Sequence, residues 1–194
     1  IEADLPELKR LESLNVRKPV SIIDFEFDLT VDNFRFFAAA ARFMEGRAGG
    51  EYLEDHTSFV RRDPIGVIVG IAPWNYPLNM ATWKLGPALA AGNTVLAKPA
   101  EQTPIIAFEA VKLFHAAGLP VEALHLLTGD GRVGGKRTGD PRCGGVAFTG
   151  STEVARIINR TLAAKDGPIA PLIAETGGLN ALFCDTTALR EQVV

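Results

Sequence analysis

The chain has 194 residues, of which 47% are hydrophobic and 22% are charged, and its formal net charge is −3. These values are typical of a globular domain with one well-buried core, and without a Lys/Arg cluster there is no electrostatic reason to expect nucleic acid or an anionic membrane as a partner. Apolar runs such as residues 66–73 are too short to cross a bilayer. Two cysteines make no disulfide framework and the first residues have no apolar secretory core, so we expect a cytoplasmic protein.

The first third of the sequence predicts helices followed by an extended arm. Residues 5–14 have the pattern of a short helix. Residues 31–44 predict a second helix with an aromatic-rich face, ending at Gly46. Residues 51–62 are expected to form extended arms. We therefore predict an N-terminal region, 1–64, that precedes the main domain.

From residue 65 to residue 194 the pattern alternates between strands and helices. Apolar, β-branched runs predict strands at 66–71, 94–97, 124–127, 146–148, 172–174 and 181–183. Helices are expected between them at 78–91, 103–117 and 152–164, with a glycine-rich loop and one short helix at 129–139. Repeated β-α-β units indicate an α/β fold, a doubly wound parallel sheet with helices on both faces.

Four polar or glycine positions, Asn75, Lys98, Gly150 and Glu175, each follow a predicted strand. Ligands of such sheets bind outside the carboxyl ends of the strands, so we expect these residues to share one crevice. Simpler interpretations stay open for each of them. Asn75 fits a turn in a proline-rich loop, Lys98 a solvated strand end, and Glu175 an acid in a turn.

The residue types also suit specific chemistry. The loop between Pro73 and Pro77 would fix the Asn75 amide where it can donate to a developing oxyanion. A lysine followed three residues later by a carboxylate, Lys98 and Glu101, can donate to and accept from ribose hydroxyls. Residues 148–151 open a predicted helix, and such a start is either a Ser/Thr cap or an anion site.

Three motifs, Ile-Ala-Pro-Trp-Asn-Tyr-Pro (71–77), Phe-Thr-Gly-Ser (148–151) and Glu-Thr-Gly-Gly (175–178), occur in the order found in the NAD(P)-dependent aldehyde dehydrogenase superfamily. The chain resembles that superfamily. Residues 62–93 are similar to aminoaldehyde and betaine-aldehyde dehydrogenases. Residues 97–104 and 171–180 are similar to the glutamate-semialdehyde (pyrroline-5-carboxylate) dehydrogenase module of bifunctional proline-catabolic proteins.

The resemblance implies a Rossmann-like cofactor domain and a role for each motif. Asn75 would stabilise the oxyanion and Glu175 would be the general base that activates water. Glu101 would also repel a 2′-phosphate and so favour NAD over NADP, and the pyrophosphate would bind at 148–151. No metal is implied. The implied cofactor-binding residues are Ile71, Ala72, Pro73, Trp74, Lys98, Ala100, Glu101, Gly131, Gly134, Phe148, Thr149, Gly150, Ser151, Thr176 and Gly177.

The chain departs from the family in two places. The family's nucleophile is a cysteine in a separate catalytic domain downstream of the Glu-x-Gly-Gly motif. Cys184 follows Glu175 too soon, in a predicted apolar strand where we expect it to be buried, and Cys143 is expected in a loop. The glycine loop is one residue shorter between Gly131 and Gly134. We therefore expect a partial chain that contains the cofactor-binding side and lacks the catalytic cysteine domain.

Three functional hypotheses follow. The first is NAD-dependent oxidation of a small aldehyde, glutamate semialdehyde or an aminoaldehyde, to its acid by a homo-oligomer of the full-length family. The second is a stand-alone NAD-binding module without turnover. The third is a structural or regulatory fragment whose unpaired sheet edge associates with a partner.

Overall fold

A computed structural model describes residues 1–44, 46 and 49–189. The N-terminal region contains α1 (Leu5–Val16), α2 (Val20–Ala40) and a hairpin of two antiparallel strands, β1 (Gly50–Leu53) and β2 (His56–Ser58). A short 3₁₀ turn, Glu2–Asp4, precedes α1. The hairpin lies within the predicted extended arms.

The second helix differs from its prediction at both ends. It begins at Val20 rather than at residue 31, directly after Pro19, and it ends at Ala40 rather than near Gly46. The missed first half contains Ile23 and Phe27, which are both buried. These two residues lie four positions apart and therefore on one helix face, whereas the strict alternation of apolar and acidic residues from Ile23 to Leu29 is not a helical pattern.

The central sheet has five parallel strands: β3 (Val67–Ile71), β4 (Thr94–Lys98), β5 (Leu124–Leu126), β6 (Cys143–Thr149) and β7 (Leu172–Glu175). The helices between them are α3 (Pro77–Ala90), α4 (Pro104–Ala116), α5 (Gly131–Thr138) and α6 (Thr152–Ala163), with a 3₁₀ turn at Val121–Ala123. The strand order is β5-β4-β3-β6-β7. This confirms the predicted doubly wound parallel sheet, whose order reverses between β3 and β6.

Two apolar cores cover the two faces of the sheet. Adjacent residues of β3 face opposite cores, as the alternation of a strand requires: Ile68 packs with α3 and α4, and Val69 packs with α6. A third core joins α1 and α2 to the outer side of α3 and α4 through Leu8, Ile23, Phe27, Leu78, Ile106 and Ala110. The molecule therefore has four layers, and α3 lies between the sheet and the N-terminal helices.

The predicted strand at 181–183 is wrong. These residues have no regular secondary structure, and Leu182 and Phe183 are 77% and 93% exposed. An apolar run becomes a strand only where a neighbouring strand supplies hydrogen-bond partners, and β7 pairs only with β6 among the described residues. None of the described helices combines the length and apolar character that crossing a membrane would require.

Candidate functional site

The carboxyl ends of four neighbouring strands form a continuous row, which we call the sheet edge. In the register of the sheet, Ile71 lies between Lys98 on one side and Phe148 on the other, and Thr149 pairs with Glu175. The sequence predicted that the strand-end residues share one crevice, and the register of the sheet brings the ends of these strands side by side. Three of the four predicted positions, Lys98, Gly150 and Glu175, lie at the row itself or one residue beyond it.

Backbone hydrogen bonds hold the chain where it leaves the sheet edge. The Ala72 N–H donates to the Lys98 carbonyl at 3.1 Å, and the Gly150 N–H donates to the Glu175 carbonyl at 3.1 Å. The fourth predicted position, Asn75, follows in the loop between β3 and α3. Trp74 and Asn75 are exposed there, and α3 begins at Pro77. A proline at the first helical position fixes its own φ and so limits how the loop can enter α3.

Lys98 is buried although it carries a charge at the end of β4. Its Nζ donates to the Pro99 carbonyl at 3.0 Å and lies 4.0 Å from the Glu101 carboxylate. Burial lowers the pKa of Lys98, and the nearby charges of Glu101 and Asp130 oppose that effect. The buried ammonium group therefore lies within ion-pair distance of an exposed carboxylate at the sheet edge, three residues further along the chain.

Helix α5 packs directly on the stem of Lys98. A Cβ added at Gly134 would lie 3.3 Å from Lys98 Cδ, so the glycine permits this approach. Asp130 caps the helix by accepting a hydrogen bond from the Arg132 N–H at 3.0 Å. A Cβ at Gly131 would meet no atom within 4 Å. The one-residue shortening of the glycine loop therefore leaves the helix intact.

The start of α6 follows β6 at the sheet edge. Ser151 is its N-cap, and the Ser151 Oγ accepts a hydrogen bond from the Val154 N–H at 3.2 Å. A Cβ at Gly150 would lie only 2.6 Å from Phe148 Cζ, so a side chain there would displace a buried ring. The N-terminus of α6 thus points its positive end toward the sheet edge behind a residue without a side chain, which is the arrangement of an anion site.

Lys84 of α3 is a site residue that the sequence interpretation did not single out. It is buried, and its Nζ donates to Thr149 Oγ1 at 2.7 Å and to the Met80 carbonyl at 3.1 Å. Burial lowers the pKa of Lys84 to about 8, against the opposing charge of Glu175. The available signal was that Lys84 is the only charged residue of α3, because a charge within an otherwise apolar helix must find buried acceptors.

A cavity of about 300 Å³ lies beside Glu175 and Lys84 on the α3 side of the sheet. Trp83, Phe148 and Thr149 also line it. A larger cavity of about 470 Å³ lies elsewhere, against the first residues of β3, β4 and β6, and none of the predicted site residues lines it. Lys84, Thr149 and Glu175 therefore share the smaller cavity, which neither Lys98 nor Asn75 lines.

Some of the predicted cofactor-binding residues do not line this cavity. Thr176 and Gly177 are exposed, and a Cβ at Gly177 would meet no atom within 4 Å. Ala100 lies in the turn after β4, where its carbonyl accepts a hydrogen bond from the Thr103 N–H at 3.1 Å.

The predicted surroundings of both cysteines are wrong. Cys143 is the first residue of β6 and is buried rather than in a loop, and burial raises the pKa of its thiol. Cys184 is exposed and outside any strand. The glycines after Cys143 concealed the start of the strand, because glycine is unfavourable in strands unless another backbone segment approaches closely. Such an approach exists at Gly144, where a Cβ would lie 2.4 Å from the Ile65 carbonyl oxygen.

Within the described part of the chain no group of His, Cys, Asp or Glu side chains could hold a metal ion. Fold and site together define a doubly wound α/β domain with a buried lysine, a helix N-terminus and an acid along one sheet edge. The chain belongs to the aldehyde dehydrogenase family, whose family profile matches residues 1–194.

Among its relatives is the bifunctional protein PutA of Escherichia coli K12, which is 50% identical over 149 residues, 75% of this chain and 11% of that protein. A crystal structure of a mutant proline utilization A (PutA) from Bradyrhizobium japonicum is similar with a TM-score of 0.86 at 48% identity, covering 96% of this chain and 19% of that one. Betaine aldehyde dehydrogenase from Staphylococcus aureus, solved in complex with NAD⁺, gives a TM-score of 0.86 at 31% identity over 91% of this chain and 35% of that one. The chain therefore spans only a fraction of these proteins.

Proposed function

We propose that this chain supplies the NAD-binding part of an aldehyde dehydrogenase that oxidises glutamate semialdehyde or an aminoaldehyde to the acid. The observation that carries the proposal is the row formed by Lys98, the α6 N-terminus and Glu175 along one sheet edge. The similarity to PutA proteins favours glutamate semialdehyde, and the similarity to betaine aldehyde dehydrogenase keeps the aminoaldehyde as the alternative.

The residues at the sheet edge fit a dinucleotide. Lys98 and Glu101 would bind ribose hydroxyls, and the N-terminus of α6 with Gly150 would bind the pyrophosphate. The Glu101 carboxylate would disfavour a 2′-phosphate by like-charge repulsion, so NAD is preferred over NADP. When bound, NAD supplies the acceptor for the two electrons that the aldehyde loses.

Asn75 and Glu175 would act in different steps of the reaction. The exposed Asn75 amide would donate to the oxygen that becomes negative when a thiolate adds to the carbonyl. Glu175 would take a proton from the water that releases the acid, and its charge lies close enough to Lys84 to oppose the lowering of the Lys84 pKa. The thiolate itself is expected from a cysteine of the family's separate catalytic domain.

A second proposal rests on exposed apolar residues in the edge strand β7 and in the segment that follows it. Ile173, Leu182 and Phe183 are 68%, 77% and 93% exposed. Such a strand with apolar neighbours favours association with a partner chain, without turnover by this chain.

Calorimetric titration with NAD and NADP tests the first proposal. The unmodified chain should bind NAD more tightly than NADP. Glu101→Ala should weaken NAD binding and reduce the preference for NAD over NADP. Lys98→Ala should weaken the binding of both nucleotides. Each lost charge-assisted hydrogen bond costs on the order of 1.5–3 kcal/mol.

Glu109→Ala is the matched control, because Glu109 is a carboxylate of α4 that pairs with Lys112 at 2.8 Å away from the sheet edge. Its NAD affinity should equal that of the unmodified chain. Unchanged NAD affinity in both Lys98→Ala and Glu101→Ala would refute the ribose assignment. Failure of the unmodified chain to bind either nucleotide would favour the second proposal.

A further inference from the structure

Three charged side chains are buried together beneath the loop that carries Asn75. Glu12 of α1, Lys18 of the α1–α2 connection and Glu26 of α2 form this charged cluster, with side chains 2%, 9% and 3% exposed. Lys18 Nζ lies 3.4 Å from Glu12 Oε1 and also contacts Glu26 Oε2. One oxygen of each carboxylate, Glu12 Oε2 and Glu26 Oε1, is buried without a hydrogen-bond partner. An incompletely satisfied buried ion cluster is a poor source of stability, so its position calls for another explanation.

The charged cluster contacts the start of α3 at two points. Lys18 Nζ lies 4.3 Å from the centroid of the Tyr76 ring, within the range of a cation–π interaction. The backbone N–H of Leu78 interacts with the Glu12 carboxyl and lowers its pKa. Tyr76 directly follows Asn75 and is the N-cap of α3, yet it makes no side-chain capping hydrogen bond. A carboxylate from α1 thus provides the negative charge that this helix start lacks.

The connection between α1 and α2 is built to turn Lys18 inward. Arg17, the C-cap of α1, has a left-handed backbone with φ of 61°. Ser13 Oγ then donates to the Lys18 carbonyl at 2.9 Å. A non-glycine residue in this conformation is strained, and the Ser13 hydrogen bond helps to hold it.

We propose that Glu12, Lys18 and Glu26 are positioning residues that fix Tyr76 and the first turn of α3 and thereby the place of Asn75. The catalytic meaning of this inference rests on the proposed role of Asn75 as the oxyanion donor. The structural effect on the loop is separable from that role and is measured on its own below.

The protonation of Glu12 gives the charged cluster a specific signature. Burial raises the pKa of Glu12 to about 7, Lys18 opposes the rise, and Glu26 adds to it. Near neutral pH the cluster therefore exchanges between a form in which the Glu12 carboxyl is protonated and a form in which it is ionised, and the two forms differ by one negative charge beside Lys18. The environment of Tyr76 should change between the two forms.

Several other charged groups on the packed helices are engaged elsewhere. Lys9 of α1 pairs with Asp24 of α2 at 2.7 Å on the outside of the same helix pair. On α4, Lys112 pairs with Glu109 at the surface and His115 Nε2 contacts the Leu124 carbonyl at 3.0 Å. Lys84 of α3 is bonded to Thr149 and Met80. None of these contacts includes Tyr76 or Leu78.

The first test follows the loop by ¹H–¹⁵N NMR of the 194-residue chain. The Trp74 indole, the Asn75 side-chain amide and the Tyr76 amide should shift with a midpoint near the pKa of Glu12 over a titration from about pH 5.5 to about pH 8.5. Glu12→Gln should abolish this transition. Lys9→Met, which breaks a Lys–carboxylate pair between the same helices but away from Tyr76, should retain it.

The second test removes the charges without leaving any of them unpaired. The triple variant Glu12→Gln, Lys18→Met, Glu26→Gln is close in volume and should fold, since apolar or neutral replacement of a whole buried ion cluster is tolerated. Hydrogen exchange of the amides in the first turn of α3, including Met80, should accelerate by about tenfold or more, while the amides of β4 keep their protection. Lys18→Arg alone should retain near-normal protection in α3.

Loop signals and exchange rates that stay unchanged in the triple variant would overturn the proposal, as would a transition that persists in Glu12→Gln. An NAD titration of the same variants separates this outcome from failure of the proposed function. NAD binding should remain measurable because Lys98 and Glu101 lie outside the charged cluster. A chain that does not bind NAD would refute the proposed function, while the loop measurements would still decide the positioning role.

Discussion

Two buried lysines at the sheet edge, Lys84 and Lys98, serve as the fixed positive charges of the candidate site. Each is 6% exposed, and burial is the first cause that lowers the pKa of each. Each also faces a carboxylate, Glu175 for Lys84 and Glu101 for Lys98. Because each ammonium group is desolvated, its attraction to the neighbouring carboxylate is stronger than in a pair that is exposed on both sides.

Lys84→Met tests the cost of burying this charge. The pKa of Lys84 is lowered to about 8 in the folded chain from 10.5, so the folded state binds fewer protons between those values and stability should rise with pH through that window. Holding the charge at neutral pH costs up to about 3 kcal/mol, and its two hydrogen bonds return about 1 kcal/mol each. Lys84→Met should therefore be about 1 kcal/mol more stable near neutral pH and should lose the rise above about pH 8.

Urea denaturation near neutral pH and at about pH 9.5 measures both effects. Lys112→Met is the control, because Lys112 is 58% exposed and paired on the surface, so its stability should change by less than about 0.5 kcal/mol. A Lys84→Met chain that is less stable near neutral pH would show that the hydrogen bonds of Lys84 outweigh its desolvation. A rise in stability that persists in Lys84→Met would show that another group causes it.

The sequence indicated Lys98 and Glu101 as candidate site residues but did not indicate the other buried charges. Lys98 and Glu101 could be recognised from the sequence because they lie three residues apart at the end of a predicted strand. Lys84, Glu12 and Glu26 could not, since sequence patterns treat a charged residue as solvated unless its burial is known. Their positions depend on how α1, α2 and α3 pack, and that packing has no local signal.

At the scale of elements, α2 packs closely against α3. A Cβ added at Gly86 of α3 would be 2.6 Å from Phe37 Cδ2 of α2. Alanine is the better helix former, by about 1 kcal/mol, so an unobstructed site would gain stability. At Gly86 the clash should instead force Phe37 or the helix to move, with a net loss of about 1–3 kcal/mol.

Gly135→Ala in α5 is the matched comparison, because a Cβ there would meet no atom within 4 Å. It should stabilise the chain by about 0.5–1 kcal/mol, whereas Gly86→Ala should destabilise it. Thermal or urea unfolding of the two variants gives the signs directly. Equal stabilisation by both would mean that α2 does not pack on α3 as described.

Strands and helices of the sheet were predictable because each strand is an apolar run and each following helix has a clear start. Pro77 and Pro104 mark two of those starts. The failures have physical causes as well. Residues 181–183 have strand-like composition but no strand beside them, and the glycines after Cys143 obscured the beginning of β6. Composition is a local property, while strand pairing is not.

At the scale of the whole molecule, the two cysteines lie in places where neither can serve the sheet edge. Cys143 begins β6, so it lies at the amino end of a strand whose carboxyl end carries Thr149. Burial raises the pKa of its thiol, which reduces the thiolate that a nucleophile needs. Cys184 is exposed in a segment without regular structure after Glu175.

We therefore expect the 194-residue chain to bind NAD without producing NADH. Oxidation requires a thiolate adduct beside Asn75, and without it Glu175 has no thioester to hydrolyse. The measurement is NADH absorbance with glutamate semialdehyde and with an aminoaldehyde as substrates, alongside an active aldehyde dehydrogenase as a positive control. Turnover that disappears in Cys184→Ser would contradict this expectation and make Cys184 the nucleophile. Turnover that survives replacement of both cysteines would require a mechanism without a thiolate.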